Sequence, residues 1–365
     1  MTVGSSNRVD CLVAGGGLIG LLCALYLARE GLTVTVLERG ELCRESSWAG
    51  GGILSPLVPW EYPDAVTQLV AWSQQHYPLL ANELHQQTGI DPEWTRSGLL
   101  MLDTPLSADI RAWADRHAVE VQAQEPAAVQ ADEPSLAAAT GPALLLPAVA
   151  QVRNPRLCTA LREQLQQRGV GLHEHSAVRR LLVARGRIQG VDTEHGRVGA
   201  ERVVIAGGAW SAELLQGTRT ALPVTPVRGQ MILFETRPGL LRHIVLSDGY
   251  YLIPRRDGLV LAGSTLEYTG FDKATTPEAR ELLTAQAVRI APVLAEYPVI
   301  RHWAGLRPGT RDGIPFICEH SEISGLYLNA GHFRNGVVTG PASARLLVDR
   351  MLGRHSFTEF APYRL

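Results

Sequence analysis

The sequence predicts an α/β protein of two domains, one with a parallel sheet carrying an inserted β-meander, the other built on an antiparallel sheet. Three observations predict it: a glycine-rich turn between strand and helix near the N-terminus, a run of short strands and turns over 178–206, and a hairpin signal at Asp257-Gly258. The chain has 365 residues, more than the roughly 250–300 that one core usually supports. Discontinuous domains are expected, with 1–85, 150–222 and 325–365 forming the first and 86–149 and 223–324 the second.

Composition narrows the function classes. Hydrophobic residues make up 45 % and charged residues 19 %, the balance of a packed chain. The 34 Lys+Arg nearly cancel the 36 Asp+Glu, and no segment is a basic run. Binding to nucleic acid or an anionic membrane needs a concentrated positive field, so neither partner is expected. Cysteines 11, 23, 43, 158 and 318 are odd in number and form no CxxC pair. Neither a disulfide framework nor a zinc site follows, and a cytoplasmic, reducing setting suits them. The 11 histidines show no HExxH spacing, so no metal is expected.

Residues 9–14 read as a short apolar strand, followed by Gly15-Gly-Gly17-Leu18-Ile19-Gly20, a helix over 21–30 closed by Gly31, and a strand over 33–37 ending at Glu38. Residues 11–28 carry no charge, long enough to mimic a membrane span. Four glycines interrupt that stretch, however, and an alternating strand follows it directly. A buried strand–turn–helix accounts for both features. The unit is Rossmann-like. Gly15 permits the tight turn, Gly17 lets the backbone approach a pyrophosphate, and Gly20 lets helix and strand pack closely. Leu18 and Ile19 stand in the same turn, where unpaired helix N–H groups face phosphates. Glu38, 18 residues after Gly20 and followed by Arg39, is placed to accept hydrogen bonds from a ribose diol, which disfavours NADP.

Residues 44–53 form a small-residue loop. Ser46 and Ser47 offer hydroxyls, Gly50, Gly51 and Gly52 offer close backbone approach, and Ile53 and Leu54 follow. Such a loop suits FAD over NAD, because the second half of the cofactor would cross it; the competing reading is a surface loop. Helices are expected over 63–84 and 107–119, and surface loops over the Ala- and Pro-rich 120–150. Asn154 reads as an N-cap with Pro155 at the first helical position, and Gly169 stops that helix. A strand over 170–172 leads into meander strands 178–184, 187–193 and 197–200 and an apolar strand 202–206, ended by Gly207. Val178 reads either as an adenine neighbour or as an ordinary core valine. The hairpin pairs 250–255 with 259–263 and puts Tyr251 on a strand of the second domain.

Six segments stand together from end to end of the chain: Val13-Ala-Gly-Gly-Gly-Leu-Ile-Gly20, Ala49-Gly-Gly-Gly-Ile53, Val204-Ile-Ala-Gly-Gly-Ala-Trp210, Tyr251-Leu-Ile-Pro-Arg255, Trp303-Ala-Gly-Leu-Arg-Pro-Gly-Thr-Arg-Asp-Gly313 and Gly331-His-Phe-Arg-Asn-Gly-Val337. In this order they resemble the D-amino-acid oxidase family of FAD-dependent amine oxidoreductases, in particular its branch that oxidises glycine and is tied to thiamine thiazole synthesis. The resemblance implies FAD as cofactor. It implies Arg307, Tyr251 and Arg334 on the substrate carboxylate, which a guanidinium grips in a bidentate fork. It also implies His332, Phe333, Arg334, Asn335, Gly336, Val337 and Val338 along the flavin edge, ahead of a helix expected over 341–352. No residue is assigned as a base, His332 included. The implied reaction converts glycine, sarcosine or D-alanine to the 2-oxo acid, ammonia and hydrogen peroxide, in a homotetramer.

Sarcosine oxidases tether FAD through a cysteine near the position of Leu306-Arg307. Cys318 lies beyond that motif, so FAD is expected to be non-covalent. Gly249 replaces a histidine, and Leu266 a methionine, that relatives can carry around the pocket. Two other readings stand beside this one. A related dehydrogenase would pass electrons to a carrier and form little peroxide. A non-catalytic binder would have no use for a carboxylate clamp at Arg307 and Tyr251.

Overall fold

The computed structural model describes residues 8–138 and 141–365. Two eight-stranded sheets organise the chain. In the first, Phe316–Glu319, Leu326–Ala330, Gly196–Ile205, Arg8–Ala14, Val34–Leu37 and Gly171–His173 lie side by side, and the pairings from Leu326–Ala330 onward are parallel. The strand Phe316–Glu319, expected with the second domain, belongs to this sheet. The second sheet runs Val299–Gly309, Thr225–Glu235, Leu259–Gly263, Tyr250–Pro254, Ile244–Ser247, Leu99–Met101, Ala143–Leu146 and Gln122–Gln124.

The uncharged N-terminal stretch is strand Arg8–Ala14 and helix Leu18–Arg29. The helix packs against Asn154–Gln167 and Gly336–Met351 as well as the sheet. This explains why it is apolar all round: Leu21, Leu22 and Leu25 have no exposed surface, and burying such a side chain stabilises by about 1.5–3 kcal/mol. Among the described residues no helix is long and apolar enough to cross a membrane.

Four expectations need correction. The meander's third strand and the apolar strand after it are one element, Gly196–Ile205. Its first half pairs with Arg187–Thr193, and its second half lies beside Arg8–Ala14 and Leu326–Ala330. No turn residue separates the halves. The supposed loops of 120–150 contain helix Pro126–Asp132 and two strands of the second sheet, Gln122–Gln124 and Ala143–Leu146; residues 139–140 lie outside the described residues. Asn154 is the first residue of its helix rather than the cap, and its Nδ2 donates to Ser47 O at 2.9 Å. The last helix begins at Gly336, with Pro341 inside it.

That proline has a distant partner. Pro341 has no N–H for the carbonyl of Val337, one turn earlier. The hydroxyl of fully buried Tyr77 donates to that carbonyl instead, at 2.6 Å. Tyr77→Phe is therefore expected to lower unfolding stability by about 1–3 kcal/mol, the cost of an unsatisfied buried acceptor, in chemical denaturation of the holoprotein. An unchanged midpoint would mean that the carbonyl finds another donor.

Candidate active site

A cavity of about 470 Å³ lies between the two sheets. Ala14, Leu37, Ala206 and Ala330, at or just past the carboxyl ends of four strands of the first sheet, form its floor. That is where open α/β sheets bind nucleotides. At one end stand Glu38, Arg39 and Val178; at the other stand Tyr251, Arg307 and Arg334.

The nucleotide end is built by the glycine turn. Gly15 has φ +117°, and a Cβ there would lie 2.4 Å from Ala206 O. Gly17 caps helix Leu18–Arg29 without a side-chain bond of its own. Ser47 Oγ accepts from Leu18 N at 2.8 Å, which ties the loop of Ser46 and Ser47 to the helix mouth. Ile19 also borders the cavity. Glu38 is held by the N–H groups of Gly16 (2.7 Å) and Gly40 (3.0 Å); a carboxylate retains lone pairs for further donors. The Arg39 guanidinium stacks 3.5 Å over the Trp210 ring and reaches Glu45. Gly207 and Val178 complete this end of the wall.

The other end combines both sheets. Arg307 lies between Gly305 and Pro308 on the long strand Val299–Gly309. Register places Gly229 opposite Gly305, two residues from Arg307. The guanidinium lies over Gly229, where a Cβ would sit 2.2 Å from its nitrogens. Nη1 donates to Thr265 O at 3.1 Å and Arg228 O at 3.4 Å, and Nη2 to Ser264 Oγ at 2.7 Å. A guanidinium has five N–H donors, so two remain for a ligand. Burial lowers its pKa, while neighbouring Tyr251 works the other way. Tyr251 packs on Gly263, where a Cβ would meet its ring at 2.9 Å. Behind Arg307, Glu267 accepts from Arg228 and from Gln230 Nε2 at 2.9 Å. Burial alone would raise the Glu267 pKa, but hydrogen bonds from Thr265, Arg228 and Gln230 hold it below the usual value. Gly229→Ala is expected to displace the guanidinium and raise KM for a carboxylate substrate about tenfold with flavin content intact, read by steady-state kinetics; an unchanged KM would show that the clamp tolerates the methyl group.

The remaining wall comes from the start of helix Gly336–Met351. Phe333, Arg334, Asn335, Gly336 and Val337 border the cavity. Since the helix starts at Gly336, Gly336 and Val337 are its first turn, and their N–H groups lack intrahelical partners. Buried Asn335 keeps an unpaired Nδ2. His332 is buried, and burial pulls its pKa down to about 3. Its Nε2 faces Asn329 Oδ1 and its Nδ1 faces Thr339 Oγ1, both at 2.9 Å. Asn329 Nδ2 donates to Ser343 Oγ, so Oδ1 accepts. Nε2 therefore carries the proton, and Nδ1 competes with Asn335 O, also 2.9 Å away, for the one hydroxyl proton of Thr339. Both ring nitrogens face a protein oxygen, and burial keeps the imidazole neutral.

Of the candidate residues, Gly20 and Val338 do not border the cavity. A Cβ on Gly20 would lie 1.9 Å from Gly15 O, so that glycine lets helix and strand approach; Val338 is buried in the core. Gly249 and Leu266 also stand off the wall, and Leu266 is exposed. The sequence reading missed Gly229 and Gly263. Glycines inside strands signal close approach of another group, and here the groups are Arg307 and Tyr251.

These residues fit an FAD. Glycines form a cradle that any Cβ would fill, two helix starts open onto the cavity, and the Asn335 amide waits unpaired. The family model described as DAO, FAD dependent oxidoreductase, matches residues 10–350. The chain belongs to this family and is an FAD-dependent oxidoreductase.

Within the family, the chain is 48 % identical over 362 residues to glycine oxidase of Pseudomonas aeruginosa, spanning 98 % of each. It is 33 % identical over 354 residues to the bifunctional protein ThiO/ThiG of Trichormus variabilis, spanning 95 % of this chain and 53 % of that one. The crystal structure of glycine oxidase from Geobacillus kaustophilus superposes with a TM-score of 0.89 at 30 % identity, covering 99 % of both chains.

Proposed function

We propose that the protein oxidises glycine and other small amines, sarcosine and D-alanine among them, consuming oxygen and water and releasing the 2-oxo acid, the amine or ammonia, and hydrogen peroxide. The observation that carries the reading is Arg307: a guanidinium with two donors to spare, among the described residues without an ion-pair partner, in one cavity with Tyr251. Such a group recognises a carboxylate.

Arg307 and the Tyr251 hydroxyl hold the carboxylate and aim the substrate's Cα–H into the cavity, so most of the chain's contribution is orientation. Arg334 adds positive charge at the same end. FAD, held by Gly15, Gly17, Glu38, Ser47, Gly51, Gly52 and the start of the last helix, supplies the two-electron acceptor. The amine must be neutral to release a hydride, and solvent takes its proton, since both ring nitrogens of His332 face protein oxygens. No cysteine borders the cavity and all five are buried, which supports non-covalent FAD. The likeness to glycine oxidases and to a ThiO/ThiG protein supports a role in supplying the imine of glycine for thiazole synthesis.

The test is oxygen uptake and peroxide formation with glycine, sarcosine and D-alanine, beside anaerobic bleaching of the flavin. Bleaching with dye reduction but without peroxide would favour a dehydrogenase that uses a carrier. No bleaching with any of the three would overturn the substrate class.

A further inference from the structure

The Gly51–Gly52 peptide is held from behind. Its carbonyl accepts from Arg255 Nη2 at 2.8 Å, while Nη1 donates to Gln151 Oε1 at 2.6 Å and Val152 O at 3.1 Å. All three acceptors are neutral. The nearby carboxylates of Glu93 and Asp257 are bonded to Arg153 and Arg156, and among the described residues Arg255 has no ion pair. Loss of solvent pulls its pKa down to about 10, which still leaves it charged at neutral pH.

A trans peptide sets its N–H opposite its C=O. With the Gly51 carbonyl turned to Arg255, the Gly52 N–H is turned away from it. The next peptide repeats the pattern: Gly52 O accepts from Val152 N at 2.9 Å, which turns the Ile53 N–H the other way. Gly52 and Ile53 both border the cavity. This is the substrate end, since a Cβ on Gly51 would lie 3.6 Å from Tyr251 Cε2.

We propose that Arg255 is an electrostatic positioning residue: its unpaired charge behind the Gly51–Gly52 peptide favours the more negatively charged redox state of the cofactor, and its hydrogen bonds hold the peptide that presents the Gly52 N–H. The proposal rests on the reading that the redox-active ring of FAD lies at the Tyr251 end. A fixed positive charge in a site with little water stabilises developing negative charge without reorganising. Arg255 touches neither substrate nor cofactor and exchanges no atoms with them; the effect is on an equilibrium.

The experiment measures the midpoint potential of the holoprotein by equilibrium titration against a reference dye. In Arg255→Gln the equilibrium is expected to shift about tenfold towards the oxidised form, about 30 mV lower for a two-electron couple. Arg255→Lys, which keeps the charge, is expected to keep most of the wild-type potential. Gln151→Glu sets a carboxylate against Nη1 and is expected to shift the potential the same way as Arg255→Gln with the guanidinium in place. It gives a second reading should Arg255→Gln fail to fold. Normal flavin content with unchanged potentials in Arg255→Gln and Gln151→Glu would overturn the proposal, as would weakened FAD binding alone. Wild-type protein unable to take up flavin would overturn the underlying site reading instead.

Discussion

Replacing Arg307 with leucine is expected to lower kcat/KM for glycine at least about 100-fold while FAD stays bound. Truncating one side of a buried charged pair costs about 2–5 kcal/mol, and each 1.4 kcal/mol is about tenfold. The loss should be specific to substrate, because Gly15 and Glu38 of the cofactor cradle follow strands of the first sheet, whereas Arg307 lies on a strand of the second. Arg307→Lys keeps the charge but not the planar fork, so its loss should be smaller. Kinetics with glycine and flavin absorbance on the same preparation check both points; a wild-type kcat/KM in the leucine variant would remove Arg307 from substrate binding.

Gly20→Ala is expected to cost the protein its FAD. The added Cβ would stand 1.9 Å from the carbonyl oxygen of Gly15 and 3.2 Å from Val13 Cγ1. Neither the tight turn nor the strand can yield without moving the phosphate-facing backbone. Overpacking of this kind costs about 1–3 kcal/mol, and the displaced turn should weaken FAD at least about 100-fold, as read by fluorescence titration of the apoprotein. Full flavin content in the purified variant would show that helix Leu18–Arg29 can tilt away freely.

The glycine turn was legible in the sequence because strand, turn, helix and acid are neighbours along the chain. Pro341 misled, because a proline commonly opens a helix. Here the helix continues upstream of it, and the hydroxyl that permits this comes from Tyr77 on another helix. The strands Gln122–Gln124 and Ala143–Leu146 are short, and neither alternates enough to separate it from a loop. The floor beneath Arg307 was invisible for a different reason. Gly229 and Ser264 reach it through strand pairing and a long loop, and no local pattern reports register. Resemblance pointed to Arg307 itself, but not to the residues that aim it.

The segment 46–53 is bonded from both layers. Asn154 donates to Ser47 O from a helix of the first layer, whereas Trp303 Nε1 donates to Ala49 O and Arg255 to Gly51 O from the second. Eight residues thus act as a keystone. Neither half of the molecule can be cut out as a self-sufficient module, and heat should melt both as a single cooperative body.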